Sequence, residues 1–278
     1  MSIITKSTVS LFRRSLQESE KAQATIVKYV FYVERMIRAL SGKELTKKFL
    51  LEYRDELMGM YKVQTINGNL SAINACLEFC GLSEMKLKLL RVQRQAFLEE
   101  RRELSKEEYR RLLEAARCRG DERLYMLLLT LGSTGIRISE LSYITVEAAK
   151  TGRAQIHLKG KSRTVILRKE LRRQLLTYAR RQGIARGHIF RTRSGRTLDR
   201  SNVCHDMKRL CADARVDACK VFPHNLRHLF ARLYYGIEKN LAHLADVLGH
   251  SCIETTRIYV AASASTHEKI LDKMMLIT

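Results

Sequence analysis

Five side chains spread over residues 137–259 could together perform chemistry on a phosphate group. They lie in the stretches TGIRISEL, HNLRH, LGH and TTRIYV, and they are Arg137, His224, Arg227, His250 and Tyr259. As a nucleophile adds to a DNA phosphodiester, negative charge grows on the phosphate oxygens, and guanidinium groups bind two such oxygens while staying charged. A histidine can donate to these oxygens or accept the proton of an attacking phenol. The pattern therefore predicts phosphoryl transfer with Tyr259 as nucleophile.

A lysine could supply the proton that the departing 5′ oxygen needs, because an alkoxide is otherwise a poor leaving group. The stretch AQIHLKGKSRTVIL alternates apolar and polar residues on both sides of Gly160, which predicts a β-hairpin. Lys159 and Lys161 lie at its tip and, being two residues apart, project from the same face. Lys159 fits the role of general acid, and Lys161 remains an alternative.

Each of these residues also has an ordinary structural explanation. Tyr259 is one of 11 tyrosines and could fill a core position. Arg137 could pair with Glu140 one turn further on, and His250 could cap the preceding helix as a cation near its C-terminus. The hairpin lysines could be solvated residues that protect a strand edge.

Neither a metal nor a cofactor is expected. His224 and His228 lie four apart, as zinc-binding histidines do on a helix, but HNLRH lacks the glutamate of HExxH and no third ligand is evident. The sequence contains neither GxxxxGK[ST] nor a carboxylate cluster suited to paired Mg²⁺. A phosphotyrosine ester would itself keep the energy of the broken bond, so that resealing would need no ATP.

The charge of the chain indicates double-stranded DNA as a partner. The 278 residues include 51 Lys+Arg and 29 Asp+Glu, a net charge of +22. Residues 1–97 carry 16 basic and 9 acidic side chains, so the excess is not confined to one basic tail. Seven cysteines without a CxxC pair indicate reduced thiols, and no apolar run is long enough to span a bilayer. We therefore expect a cytoplasmic, nucleoid-associated protein with no membrane partner.

The hydrophobic patterns around these residues predict a mainly α fold with a small antiparallel β-sheet, an α+β class. We expect a helical domain over 1–95, a charged linker over 96–104, and a second domain over 105–278 that ends in a tail helix. Ser105 and Glu108 form a predicted capping box at a helix start. In the first domain, apolar spacings of three and four predict helices at about 8–18, 23–40, 46–58 and 63–79.

The helix at 63–79 is a candidate for reading DNA sequence. Gln64, Thr65, Asn67 and Asn69 lie near its start, and such side chains can contact base edges in the major groove. Ordinary N-terminal capping and solvation would explain the same residues.

Together the motifs resemble the tyrosine recombinase family, also called the phage integrase family. TGIRISEL resembles its first arginine box, HNLRHLFA its His-x-Leu-Arg-His box, and LGHSCIETTRIY the stretch from Leu-Gly-His to the nucleophile. The order of the boxes is also similar, and the resemblance covers nearly the whole chain, as in simple two-domain Xer-like or integrase-like members. It implies that the first domain is a SAM-like core-binding domain and the second a catalytic domain.

Carried over by position, the resemblance implies that Arg137, His224, Arg227 and His250 surround the scissile phosphate. Tyr259 would form a 3′-phosphotyrosyl intermediate, and Lys159 would occupy the general-acid position. Glu140 would orient the first arginine, and His228 would be structural. The tail, with apolar residues at helical spacing, would dock into a neighbouring protomer or fold back on its own domain; these residues are Ile270, Leu271, Met274 and Met275.

The expected function is site-specific recombination of double-stranded DNA at core sites, with integration or excision of a mobile element as the outcome. The resemblance implies a homo-tetramer on DNA, leaves a monomer in solution open, and allows accessory directionality proteins as partners. One alternative is a non-catalytic DNA-binding accessory protein derived from a recombinase. A type IB topoisomerase would share similar chemistry but would relax supercoils as a monomer, and its usual surrounding sequence differs from these boxes.

Overall fold

In its described residues the chain folds into two mainly helical units, the second of which contains one small sheet, and the predicted α+β class is confirmed. The computed structural model describes residues 6–91, 102–158, 161–192, 194–250 and 252–260. The two compact units comprise residues 1–94 and 95–278. Within the described ranges, no helix is long and apolar enough to cross a membrane.

The first unit is built from four amphipathic helices, close to the predicted bounds. Their apolar faces form one buried core that includes Phe12, Met36, Leu50 and Leu70. A 3₁₀ turn follows at Ser83–Met85. The helices are α1 (Lys6–Glu18), α2 (Gln23–Leu40), α3 (Lys47–Met60) and α4 (Val63–Phe79).

Two asparagines of α4 hold the chain that follows the helix, and a third, Asn69, is buried, which corrects the DNA-reading prediction for Asn69, while Gln64 and Thr65 stay a prediction. The Asn67 side chain both accepts from the Leu90 N–H and donates to the Leu90 carbonyl, each at 2.8 Å. Asn74 does the same with Leu87, again at 2.8 Å. Asn69 is 0% exposed and donates to the Thr65 carbonyl, so it cannot reach a base edge from this position.

The second unit is also mainly helical, and it contains the hairpin. Its core joins helices and strands through buried residues such as Leu112, Leu131, Leu175 and Leu226. Two 3₁₀ segments lie at Ile138–Tyr143 and Ala218–Lys220. The helices are α5 (Lys106–Cys118), α6 (Glu122–Thr134), α7 (Val146–Thr151), α8 (Lys169–Arg181), α9 (Arg200–Lys208), α10 (Cys211–Ala214), α11 (Pro223–Glu238), α12 (Leu241–Leu248) and α13 (Ile253–Val260).

The start of the second unit includes the end of the predicted linker. The Asn225 side chain donates to the Arg102 carbonyl at 2.8 Å, and Arg232 donates to Glu103 at 2.6 Å. The predicted capping box is confirmed: the Ser105 hydroxyl accepts from the Glu108 N–H at 3.0 Å, and the Glu108 carboxylate accepts from the Ser105 N–H at 2.7 Å.

Two helices that lead to predicted site residues end on glycine. Gly135 terminates α6 with φ +64, two residues before Arg137, and Gly249 terminates α12 with φ +67, one residue before His250. This left-handed conformation costs an L side chain more than it costs glycine, so glycine permits a sharp stop. The chain can therefore turn from each helix directly into a site residue.

The predicted hairpin is confirmed as strands β1 (Arg153–Leu158) and β2 (Lys161–Ile166), paired antiparallel. Ala154, Ile156 and Val165 are buried on one face of the hairpin. Arg163 is paired with Ile156 and therefore occupies a position on the same face as these three residues. The residues between the strands, with Lys159, lie outside the described ranges.

We predict that Gly135→Ala destabilises the second unit. A Cβ at this position would lie 2.4 Å from the Phe230 ring, and the φ of +64 is itself unfavourable for alanine. Overpacking of this kind costs about 1–3 kcal/mol in addition to the backbone strain. Urea unfolding should measure a correspondingly lower free energy of unfolding.

Gly183→Ala is the matched control for this change. Gly183 also has a φ of +64, but no described atom lies within 4 Å of the position that an alanine Cβ would occupy there. Gly183→Ala should therefore lose only the stability that the unfavourable backbone conformation costs, without the cost of overpacking. Equal losses for the two variants would refute the close approach of Phe230 to Gly135.

Candidate active site

A buried arginine stands at the centre of the site. Arg227, on α11, is 1% exposed. Its Nη1 donates to the Gly135 carbonyl at 2.6 Å, and its Nη2 donates to the Leu248 carbonyl at 2.7 Å. These two carbonyls lie at the glycine-capped ends of α6 and α12, so one guanidinium ties both helix ends together. Its Nε is also buried and finds no acceptor among the described residues.

His250 is held between this arginine and a threonine. The Arg227 Nη2 lies 2.8 Å from the His250 Nε2, and the His250 Nδ1 lies 2.7 Å from the Thr256 hydroxyl. A guanidinium can only donate, so Nε2 must be the acceptor, and the neutral imidazole carries its proton on Nδ1 toward Thr256. Burial and the charges of Arg227 and Arg137 lower the pKa of His250 to about 4, which agrees with a neutral ring.

Tyr259 both fills a core position and faces two histidines. It is 5% exposed and packs with Ala231, Leu244 and Leu248. Its hydroxyl lies 3.4 Å from the His224 Nε2, and its ring centroid lies 4.4 Å from that of His228. Tyr259 can therefore be both a core residue and a nucleophile, because its ring is packed while its hydroxyl is directed at a polar partner.

The two histidines of HNLRH are neutral neighbours of this hydroxyl. Their ring centroids lie 4.9 Å apart with an interplanar angle of 78°. Burial, followed by the charges of Arg227 and Arg137, lowers the pKa of His224 below its ordinary value of 6.5. Burial also lowers the pKa of His228 to about 4. At neutral pH the His224 ring is therefore uncharged, and its Nε2 can accept a proton from the phenol in the tautomer that carries the ring proton on Nδ1.

A buried carboxylate orients the more exposed arginine. The Arg137 Nη1 donates to the Glu140 Oε1 at 2.9 Å, and the Arg137 N–H donates to the Glu140 Oε2 at 2.7 Å. The Glu140 side chain is 3% exposed, whereas that of Arg137 is 39% exposed. Burial alone would raise the pKa of Glu140, but these bonds and the charges of Arg163 and Arg137 outweigh burial and hold it below its usual range.

A cavity of ≈ 260 Å³ opens where the two arginines approach each other. The charges around it are mainly positive, since burial and the charge of Arg137 lower the pKa of Arg227 only to about 10 and leave it protonated at neutral pH. The cavity is suited to an anion. Its lining consists of Ile136, Arg137, Ile138, Ser139, Leu198, Arg200, Pro223, His224 and Arg227.

The structure brings five of the six predicted site residues together: Arg137, His224, Arg227, His250 and Tyr259. The sixth, Lys159, lies outside the described residues, as does the predicted tail helix.

Two residues that contact the site were not predicted from the sequence: Thr256, which contacts His250, and Arg163, which contacts Glu140. Thr256 lies three residues before Tyr259, a helical spacing that could have indicated a shared face. Arg163 lies two residues before the buried Val165, a spacing that could have placed it on the core-facing side of the hairpin with a charged partner.

The family model for the phage integrase family matches residues 102–266, more than half of the chain. The chain therefore belongs to the phage integrase family. This is the class of tyrosine-type site-specific recombinases, and the resemblance of the three sequence boxes is confirmed.

Relatives named for this activity match the chain at low to moderate identity. Tyrosine recombinase XerA of Pyrococcus furiosus is 26% identical over 277 residues, covering 96% of this chain and 93% of the relative. XerA of Thermococcus kodakarensis is 28% identical over 277 residues, with 96% and 94% covered. Tyrosine recombinase XerD of Bradyrhizobium diazoefficiens is 32% identical over 151 residues, about half of each chain.

Solved structures share the fold. XerH site-specific recombinase bound to difH substrate, a pre-cleavage complex, matches with a TM-score of 0.71 at 18% identity and covers 97% of this chain and 85% of that chain. A lambda integrase dimer bound to a COC′ core site matches with a TM-score of 0.71 at 15% identity, covering 92% and 95%.

We predict that the second unit loses stability in mild acid. His228 and His250 have a pKa of about 4 in the folded chain, against an ordinary value of 6.5. The unfolded chain therefore binds protons at these histidines at a higher pH than the folded chain does. The stabilisation is present above pH 6.5 and is lost as the pH falls toward 4, so urea midpoints should be lower at about pH 5 than at about pH 7.

The variant His228→Gln should reduce this difference between the two urea midpoints. His205→Gln, at an exposed position on α9, is the matched control and should leave it unchanged. If the wild type and both variants lost equal stability between the two pH values, buried neutral histidines would not be the cause.

Proposed function

We propose that this recombinase cleaves and rejoins double-stranded DNA through a 3′-phosphotyrosyl intermediate. The Tyr259 oxygen forms a bond to phosphorus as the bond from phosphorus to the 5′ oxygen breaks. The 5′ oxygen leaves as a hydroxyl and can later attack the phosphotyrosine of another strand, which reverses the step and reseals DNA. The observation that supports this most directly is the approach of the Tyr259 hydroxyl to the His224 Nε2 at 3.4 Å, beside a buried arginine.

His224 serves as the acceptor of the phenolic proton in this proposal. Its lowered pKa keeps the imidazole neutral at pH 7, and in the tautomer that carries its proton on Nδ1 the Nε2 lone pair is free to accept the phenolic proton. The distance of 3.4 Å is long for a hydrogen bond, and such contacts commonly shorten when substrate binds. Lys159 stays our prediction for the donor of the proton to the 5′ oxygen.

The two arginines would stabilise the charge that develops on the phosphate. Arg137 offers an exposed guanidinium that Glu140 orients, at the edge of the cavity. Arg227 offers a buried Nε that finds no acceptor among the described residues. Because Arg227 is already fixed by two carbonyls, it would not need to reorganise during the reaction, which is the condition for strong electrostatic stabilisation. A phenolate at Tyr259 would also be attracted to Arg227.

We further propose that the substrate is a pair of core sites at the ends of a mobile element, and that four protomers act on them. The net charge of +22 supports binding to the phosphate backbone. Proteins of the same fold include XerH site-specific recombinase bound to difH substrate and a lambda integrase tetramer bound to a Holliday junction, the latter matching with a TM-score of 0.68; the tetramer supports the proposal of four protomers.

A DNA-binding accessory protein without catalysis is the weaker candidate. Binding DNA would require the basic surface, but it would not require a phenol directed at a neutral histidine beside two arginines. A topoisomerase would use the same cleavage step, so strand exchange between two DNA sites separates it from a recombinase.

We predict that wild-type protein forms a covalent adduct with DNA and that Tyr259→Phe does not. Nicked duplexes with randomised sequence allow the target to be selected: cleavage beside the nick releases a short strand and traps the adduct. Denaturing gels would detect the adduct, and sequencing of the captured DNA would identify the core site. Tyr259→Phe lacks the nucleophilic oxygen but keeps the packed ring, so it should bind the same site without cleaving it.

Tyr125→Phe is the matched control, because it removes a hydroxyl that contacts the exposed Arg117 on the same unit. It should form the adduct as wild type does. An adduct that persists in Tyr259→Phe would refute the assigned nucleophile, and the absence of any adduct with wild-type protein would favour the accessory-protein alternative. Two labelled copies of the selected site would then report strand exchange.

The cleavage rate should depend on the protonation of His224. As the pH falls through its lowered pKa, the imidazole gains a proton and can no longer accept one, so single-turnover cleavage should slow in acid. His224→Asn should lower the rate at neutral pH on the order of 10²-fold or more and should flatten this acidic limb. A variant that keeps both the wild-type rate and the wild-type pH profile would exclude His224 as the base.

A further inference from the structure

Arg163 is a largely buried arginine that the proposed reaction does not use. Its side chain is 13% exposed, and it lies opposite Ile156 on the face of the hairpin that carries the buried Ala154, Ile156 and Val165. A buried guanidinium is costly unless it is paired and hydrogen bonded. The contacts of Arg163 must therefore offset the cost of placing a charge beside Ile156.

Arg163 bonds two separate parts of the active site. Its Nη2 donates to the Glu140 Oε2 at 2.6 Å, on the carboxylate that also accepts from Arg137. Its Nη1 donates to the Val247 carbonyl at 2.5 Å, in the last turn of α12. The guanidinium thus links the hairpin to the partner of the first arginine and to the helix that precedes His250.

Gly249 provides the space in which Arg163 lies. A Cβ on Gly249 would lie 2.2 Å from the Arg163 Cδ, a separation that real side chains do not adopt. The φ of +67 at Gly249 also favours glycine. The next residue, His250, contacts Arg227. The turn that carries His250 therefore lies directly against the Arg163 side chain.

The two oxygens of Glu140 are divided between the arginines. Oε1 accepts from the Arg137 guanidinium, while Oε2 accepts from the Arg137 N–H and from Arg163. Without Arg163, Oε2 would lose one of its two donors, and the carboxylate could rotate away from the orientation that directs Arg137 toward the cavity. The same loss would release the Val247 carbonyl from the hairpin.

We propose that Arg163 is a positioning residue, which fixes Arg137 through Glu140 and holds the Gly249–His250 turn against the hairpin. This inference deepens the proposed strand cleavage and rests on it. Because reactivity depends steeply on the placement of groups around the reacting atoms, a small displacement of Arg137 and His250 has a large effect on rate and a small effect on DNA binding.

The test is Arg163→Ala, measured in single-turnover cleavage of the DNA site selected by covalent capture. We expect the rate to fall on the order of 10²-fold, while the affinity for the site changes little and the protein stays folded at the assay temperature. A fall of less than about tenfold overturns the proposal. If Arg163→Ala does not fold, Arg163→Met replaces it, because methionine fills much of the same volume without the charge.

Arg173→Ala is the matched control. Like Arg163, Arg173 forms an ion pair with a glutamate. Its partner is Glu170 on the same helix, α8, and the two side chains are 72% and 58% exposed. The control should cleave at the wild-type rate. A loss equal to that of Arg163→Ala would show a general need for positive charge, and it would overturn the specific role of Arg163.

A second readout does not depend on cleavage. The charges of Arg227, Arg137 and Arg163 all contribute to the lowered pKa of His250, after burial. Removing Arg163 removes one of them and loosens the turn, so the His250 pKa, measured by NMR titration, should rise from about 4 toward 6.5. Arg163→Lys keeps the charge but cannot donate to both acceptors as a planar guanidinium does. The pKa of His250 in this variant should therefore be closer to the wild-type value than its cleavage rate is.

The two readouts separate the two proposals. Wild-type protein that forms no adduct with any DNA would refute strand cleavage, and the His250 titration would still decide on Arg163. An unchanged pKa of His250 in Arg163→Ala overturns the positioning role even if cleavage is slower. A raised pKa of His250 together with slower cleavage supports the positioning role.

Discussion

The buried guanidinium of Arg227 is the constraint on which the rest of the site depends. It donates to the Gly135 carbonyl and to the Leu248 carbonyl, and so it joins the ends of two helices that are far apart in sequence. Leaving those donors without acceptors in a buried position would be costly, which makes the arrangement of the helix ends nearly obligatory. The glycine that ends each helix then directs the chain into Arg137 or His250.

The electrostatic balance of the site follows from this arrangement. The Glu140 carboxylate accepts from Arg137 and Arg163, and positive charge together with burial keeps the neighbouring histidines neutral. The neutral rings add no charge to the site, while the guanidiniums supply fixed positive charge. The cavity between these groups is lined by Arg137, Arg200 and Arg227, so its charge favours an anion.

Much of the secondary structure could be predicted from local patterns. The helices of the first unit, the capping box at Ser105 and the hairpin all appear where apolar spacing and capping residues place them. The five clustered site residues could also be predicted, from their types and from the family resemblance. The prediction for Asn69 was wrong, because polarity at a helix start does not tell whether a neighbouring segment will cover the side chain.

By itself the sequence determined the fold class, the helix ends and the chemical types of the site, because these depend on neighbours within a few residues. The tertiary structure alone decided how the groups combine. It gave Arg163 the same carboxylate as Arg137, made Thr256 the partner of His250, and buried Tyr259 with its hydroxyl toward His224. These contacts join distant segments, and their geometry is set by the packing of whole helices and the hairpin, which no local pattern encodes.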